Sequence, residues 1–163
     1  MALGQLRQDV QLRLRGFNSK KRKGRKKFMT EIEINMLCDT VRQIAYQVHA
    51  YFRQGHLEKV YENLLTHRLV KAGLDAKQQF PLKVWDEDGT IVGDYNADIL
   101  IEGELIVEIK AAKSLAVEHE AQLLGYLRAA KMDHGLLINF GAPKFQIRKF
   151  ALSKSPKKTS SII

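Results

Sequence analysis

Cysteine is almost missing from this sequence, with Cys38 its single representative. One thiol cannot build an internal disulfide framework, a four-cysteine zinc site or a cysteine-held iron–sulfur cluster. Cys38 is expected to be a small apolar filler in a reduced compartment. Long apolar runs are missing too. Nothing approaches the roughly 18 uninterrupted apolar residues of a membrane span, and the first residues lack the apolar block of a secretory signal. The expectation is a soluble, cytoplasmic chain with no membrane partner. No internal repeat is visible. With 163 residues and 45% hydrophobic content, the chain can bury one core but not two.

Acidic residues are scarce in one place only. Residues 1–27 hold ten of the 27 Lys and Arg but only Asp9 of the 18 acids, so the formal net charge of +9 sits wholly in this leader. The body that follows is formally neutral. A run such as KKRKGRKK cannot bury apolar area and repels itself, which makes residues 1–29 a flexible extension. Lysines and arginines that neutralise phosphates release counterions, so the leader could add salt-sensitive, non-specific affinity for nucleic acid. It could equally be a solubilising extension or a translation start set too far upstream; a targeting segment fits less well, since the run resembles many simple basic tails.

Beyond the leader the apolar pattern has helical and then extended periods. Thr30 and Glu33 fit a capping box, and Ile34, Leu37, Val41, Ile44, Val48 and Phe52 recur at helical spacing, predicting a helix over about 30–53. Leu57, Val60, Tyr61, Leu64, Leu65 and Leu69 define a second helix ending near Gly73. Extended segments follow over about 77–85, 91–101 and 105–111, a meander of three strands. A third helix is expected over 115–131, a buried strand at GLLINF (135–140) and an edge strand at 145–152. Helix, helix, three strands, helix and two strands make an α/β or α+β domain over 30–152, with a loose tail at 153–163.

The segment NADILIEGELIVEIK (96–110) carries the sharpest chemical signal. Ala97, Ile99 and Ile101 alternate on one strand, and Leu105, Val107 and Ile109 on the next, around a turn at Glu102–Gly103–Glu104. Burying all six on one side pairs Ile101 with Leu105, Ile99 with Val107 and Ala97 with Ile109. The other side then sets Asp98 across from Glu108 and Asn96 across from Lys110. Two carboxylates facing each other at about 5 Å destabilise a sheet unless something lies between them. A hard divalent cation with oxygen ligands would serve. Lys110, on the same side as Glu108, could hold a water or a phosphate beside that ion. On spacing alone, an ordinary solvated salt-bridge ladder accounts for these residues as well.

The D…ExK arrangement formed by Asp98, Glu108 and Lys110 is similar to the signature of the PD-(D/E)XK nucleases. The surrounding blocks GHLEKVY, YNADILI, VEIKA, HEAQLLGYL and GLLINFG resemble the small GxxExxY proteins of that superfamily, over about residues 34–152. The resemblance implies a restriction-endonuclease-like α-β-β-β-α-β core, with a mixed central sheet flanked by helices. It implies Asp98 and Glu108 as ligands of Mg²⁺ or Mn²⁺, with the backbone carbonyl of Ile109 and the helix-borne Glu58 in addition. Lys110 would be the catalytic lysine, and Gln122 would support the catalytic group. Tyr126, four residues on from Gln122, would contact the nucleic acid, with Tyr61, His119 and Lys113 as further substrate-binding candidates. Two features depart from the pattern: Asn96 stands where arginine is frequent, and the four cysteines of iron–sulfur-bearing relatives are absent.

The sequence therefore points to a metal-dependent nuclease that hydrolyses phosphodiester bonds by metal-activated water, with DNA the expected substrate. The alternative is a catalytically silent nucleic-acid- or partner-binding module on the same fold.

Overall fold

The computed structural model describes residues 28–152, and Gln8 in addition. The basic leader, apart from its last two residues and Gln8, and the C-terminal tail at 153–163 lie outside the described residues. Helix α1 (Glu31–Phe52) begins at Thr30, whose hydroxyl accepts the Glu33 N–H while the Glu33 carboxylate accepts the Thr30 N–H, closing the expected capping box. Helix α2 (Glu58–Lys71) ends before Gly73, which takes φ 93°. Strands β1 (Ala76–Trp85), β2 (Ile91–Ile101) and β3 (Leu105–Lys110) follow, then helix α3 (Val117–Ala130) and strands β4 (His134–Asn139) and β5 (Gln146–Ala151). The α-β-β-β-α-β order is present, preceded by α1 and closed by β5. Leu57, which caps the helix, and Val60 depart from the helical pattern, since both stay exposed while Tyr61, Leu65 and Leu69 carry the buried stripe of α2.

The strands form one sheet in the order β1-β2-β3-β4-β5. All neighbours are antiparallel except β3 and β4, which run parallel because α3 carries the chain back between them. This mixed sheet flanked by helices is an α+β fold. Helices α1 and α2 cover one face through Ile34, Val41, Ile44, Tyr61, Leu65 and their neighbours, packed on Ile99, Ile101, Leu105, Val107, Ile109 and Ile138. Helix α3 covers the other through Leu123 and Leu127, packed on Leu82, Ala97, Leu100, Ile106 and Leu137. Both faces of β3 are thus buried, which explains its near-continuous apolar run.

One expected pairing is corrected. Ile101 does pair with Leu105, and Ile99 with Val107, around a turn in which Glu102 and Gly103 take φ 53° and 72°. The ladder between β2 and β3 stops there, however, and Ala97 packs against α3 on the opposite face from Ile99. The cause lies on the neighbouring strand. Gln79, which would oppose Asp98, takes φ 48°, and the β1–β2 ladder skips this one position between Gln78–Ile99 and Phe80–Ala97. Strict alternation fails at that kink, so the pairs Ala97–Ile109 and Asn96–Lys110 do not form. Asp98 sits where the sheet changes sides.

Candidate active site

The interrupted ladder creates the site. Where a backbone carbonyl would ordinarily bond β3, the Asp98 carboxylate does so instead: Oδ2 accepts the Ile109 N–H at 2.7 Å. Its other oxygen, Oδ1, lies 3.5 Å from Gln79 Nε2. On β3, Glu108 is only 3% exposed, and its Oε1 accepts from Lys110 Nζ at 3.0 Å. Oε2 of Glu108 is buried with no hydrogen-bond partner. A bare buried carboxylate oxygen costs free energy unless a proton or a cation meets it.

The electrostatics agree. Burial pushes the Glu108 carboxyl up to about 7, and the negative charge of Asp98 adds to the effect. Burial also raises the Asp98 carboxyl, opposed by the Ile109 N–H and reinforced by Glu62 and Glu58. For Lys110, burial disfavours the ammonium, yet Glu108, Glu58 and Asp98 together hold its pKa above the ordinary lysine value. Three acids around one lysine leave a surplus of negative charge, the condition in which a cation is bound.

Glu58 reaches this cluster from the first turn of α2, where its Oε2 accepts the Ala111 N–H at 3.3 Å. Gln122 donates to the Tyr126 hydroxyl at 2.9 Å across one turn of α3. Burial raises the Tyr126 hydroxyl, opposed by its bond from Gln122. His119 uses its Nδ1 to accept the Ala116 N–H at the start of α3. Lys113 is exposed in the loop after β3.

Tyr61 requires correction as a substrate-binding residue. It is fully buried, stacks on Phe140 at 4.8 Å, and donates to the Arg53 carbonyl at 2.6 Å. It pins the turn between α1 and α2 and faces no solvent.

Three supporting residues escaped the sequence reading. Glu62, one helical turn after Glu58 and 4% exposed, accepts from Lys59, Gln78 and Gln79, so Gln79 bridges it to Asp98. Two glutamates four apart on one helix were a visible signal, since like charges at that spacing repel. Asn139, wholly buried, accepts the Ala112 and Gly141 N–H groups and donates to the Ala112 carbonyl, clamping the chain just beyond Lys110. A polar residue inside the apolar run GLLINFG was the available sign. Gly141 completes the clamp: a Cβ there would lie 2.3 Å from the Ala111 carbonyl carbon.

The family model of the PD-(D/E)XK nuclease superfamily matches residues 35–150. The chain belongs to the PD-(D/E)XK nuclease superfamily. No curated protein matches the sequence. Among solved structures, that of SSO0001 is similar at 19% identity and a TM-score of 0.49, over 58% of this chain and 50% of that one. The match thus spans about half the length of SSO0001.

Proposed function

We propose that the protein is a metal-dependent nuclease of the GxxExxY type that hydrolyses phosphodiester bonds of DNA. The observation that carries this reading is the buried, unpartnered Oε2 of Glu108 beside Asp98, with Lys110 on the other oxygen of the same carboxylate. Among the described residues no group of three or more Asp, Glu, His or Cys side chains is arranged to hold a metal ion. The donor set nevertheless suits a hard cation, because it offers carboxylate oxygens in negative surplus and leaves room for water and phosphate oxygens to finish the shell.

Asp98, Glu108 and the Ile109 carbonyl would hold Mg²⁺ or Mn²⁺, with Glu58 joining directly or through water. When bound, such an ion supplies Lewis-acid polarisation of the phosphate and a more acidic water. The chain's own residues do the rest. Glu108 fixes the Lys110 ammonium by the 3.0 Å bond, aiming a positive charge at the place where the phosphate gathers negative charge in the transition state. Gln79 and the Ile109 N–H hold the Asp98 carboxylate in one orientation. Asn139 and Gly141 keep the Lys110–Ala112 backbone from drifting, which matters because ångström errors in placement cost large factors in rate. Gln122 locks the Tyr126 ring at the edge of the site, where it can meet the nucleic acid. The basic leader would contribute non-specific affinity.

The test is cleavage of linear and circular, single- and double-stranded DNA by wild type and Lys110→Ala, each with Mg²⁺, Mn²⁺ or EDTA. Metal-dependent cutting that vanishes in the variant is expected. Cutting at an undiminished rate in the variant, or cutting in EDTA, refutes the assignment. Nucleic-acid binding without any cutting would favour the silent-module reading.

A further inference from the structure

The turn between α1 and α2 is held in a conformation its sequence does not favour. Arg53, the residue that ends α1, takes φ 55° and ψ −172°, which glycine adopts freely and side chains avoid. Two bonds keep it there: its N–H donates to the His49 carbonyl at 2.8 Å, and its carbonyl accepts the Tyr61 hydroxyl at 2.6 Å. The same hydroxyl accepts the His56 N–H at 3.2 Å. One oxygen of a fully buried side chain therefore ties Arg53 and His56, on either side of Gly55, to α2.

Helix α2 lacks the device that ordinarily fixes a first turn. Its N-cap is Leu57, whose side chain can accept nothing from the free N–H groups and stands 78% exposed. An uncapped first turn frays. Yet Glu58, the first residue of that turn, brings its carboxylate to the Ala111 N–H at 3.3 Å. Tyr61 lies one helical turn after Glu58, and its ring stacks on Phe140 at 4.8 Å with the planes only 5° apart. Phe140 in turn donates its N–H to the Lys110 carbonyl at 2.8 Å. Ring and hydroxyl thus have separate tasks. The ring ties α2 to the end of β3, and the hydroxyl ties α2 to the turn that leads into Glu58.

We propose that Tyr61 is a positioning residue for Glu58: by holding Arg53 and His56, its hydroxyl sets the uncapped first turn of α2, and with it the Glu58 carboxylate, against Ala111 and the candidate metal site. A phenylalanine would fill the same space, so packing does not account for the hydroxyl. A hydroxyl that holds an arginine in a glycine-like conformation is accounted for by the shape of the turn it imposes. The inference rests on the nuclease reading for the use made of Glu58, and on the hydrogen bonds alone for its placement.

The test compares the full chain as wild type, Tyr61→Phe, Glu58→Ala and the double variant. Hydrogen exchange of single amides is followed by NMR in EDTA, and Mn²⁺ binding by calorimetry. In metal-free protein, Tyr61→Phe should quicken exchange of the Ala111 amide by the same factor as Glu58→Ala, while the Phe140 amide keeps its wild-type rate. Mn²⁺ should bind about tenfold more weakly to Tyr61→Phe, and the double variant should lose no more than Glu58→Ala alone. Unchanged Ala111 exchange overturns the proposal. So does equal quickening of the Ala111 and Phe140 amides, which is general loosening, and so do Mn²⁺ losses that add in the double variant. A wild type that binds no Mn²⁺ removes the metal reading, and the Ala111 result then decides the positioning by itself.

Discussion

The two halves of the β2–β3 hairpin differ by only a few residues and follow opposite rules. Toward the turn, Ile99, Ile101, Leu105 and Val107 pair in regular register and are fully buried. One position beyond Ile99 and Val107 the ladder has ended, a side chain replaces a backbone carbonyl, and a buried carboxylate oxygen goes unpartnered. The first half gains stability from apolar area; the second carries charge that weakens the isolated fold. The candidate site lies where the ladder ends, directly beside the closed half that offsets its cost.

The contrast can be broken most severely at Gly141. A Cβ 2.3 Å from the Ala111 backbone cannot be absorbed by a rotamer change, so Gly141→Ala should cost on the order of 3 kcal/mol or more, read by denaturant unfolding. In the open half, Lys110→Ala should lower the cleavage rate by roughly 10²–10³-fold while circular dichroism stays native. In the closed half, Ile99→Ala should do the reverse. It should lose about 2–5 kcal/mol of stability, with the rate per folded molecule little changed.

Glu108 sharpens the comparison through pH. In metal-free protein its carboxyl keeps its proton up to about pH 7, whereas the unfolded chain releases it near the ordinary value of 4.5. The folded state therefore binds more protons in that window, and stability must fall as pH rises through it, by at most ~3 kcal/mol. Thermal melts in EDTA should show this slope, and Glu108→Gln should flatten it. Saturating Mg²⁺ should raise the wild-type melting temperature at pH 8 and leave Glu108→Gln nearly unmoved. The smallest effect belongs to the distant helix cap: Thr30→Ala should cost about 1 kcal/mol and leave cleavage unaltered.

Most of the architecture could be read from the sequence because its signals are local and periodic. The capping box at Thr30, the helical stripe from Ile34 to Val48 and the alternation around Glu102–Gly103 each depend on a few neighbouring residues. Alternation also set Asp98 directly across from Glu108, but the ladder ends one pair short of that, and Asp98 instead bonds the Ile109 N–H. What escaped was set by distant partners. No pattern in KQQF announces that Gln79 would take a left-handed conformation and turn Ala97 to the other face. Tyr61 stood both in the apolar stripe of the second helix and among the substrate-binding candidates, and its stacking on Phe140, far along the chain, places it in the core. Asn139 and Gly141 act on residues near 111, across a helical crossover that sequence spacing does not reveal.

That crossover has a consequence for the order in which the chain is made. Asp98, Glu108 and Lys110 lie on strands that pair by a tight hairpin, so they can meet as soon as the third strand is synthesised. The residues that hold Ala111 and Ala112 in place, Asn139 and Gly141, come from the parallel strand beyond α3 and are translated about thirty residues later. A half-made chain therefore carries the acids and the lysine without the residues that hold Ala111 and Ala112, and the candidate site is complete only when the sheet has received its fourth strand.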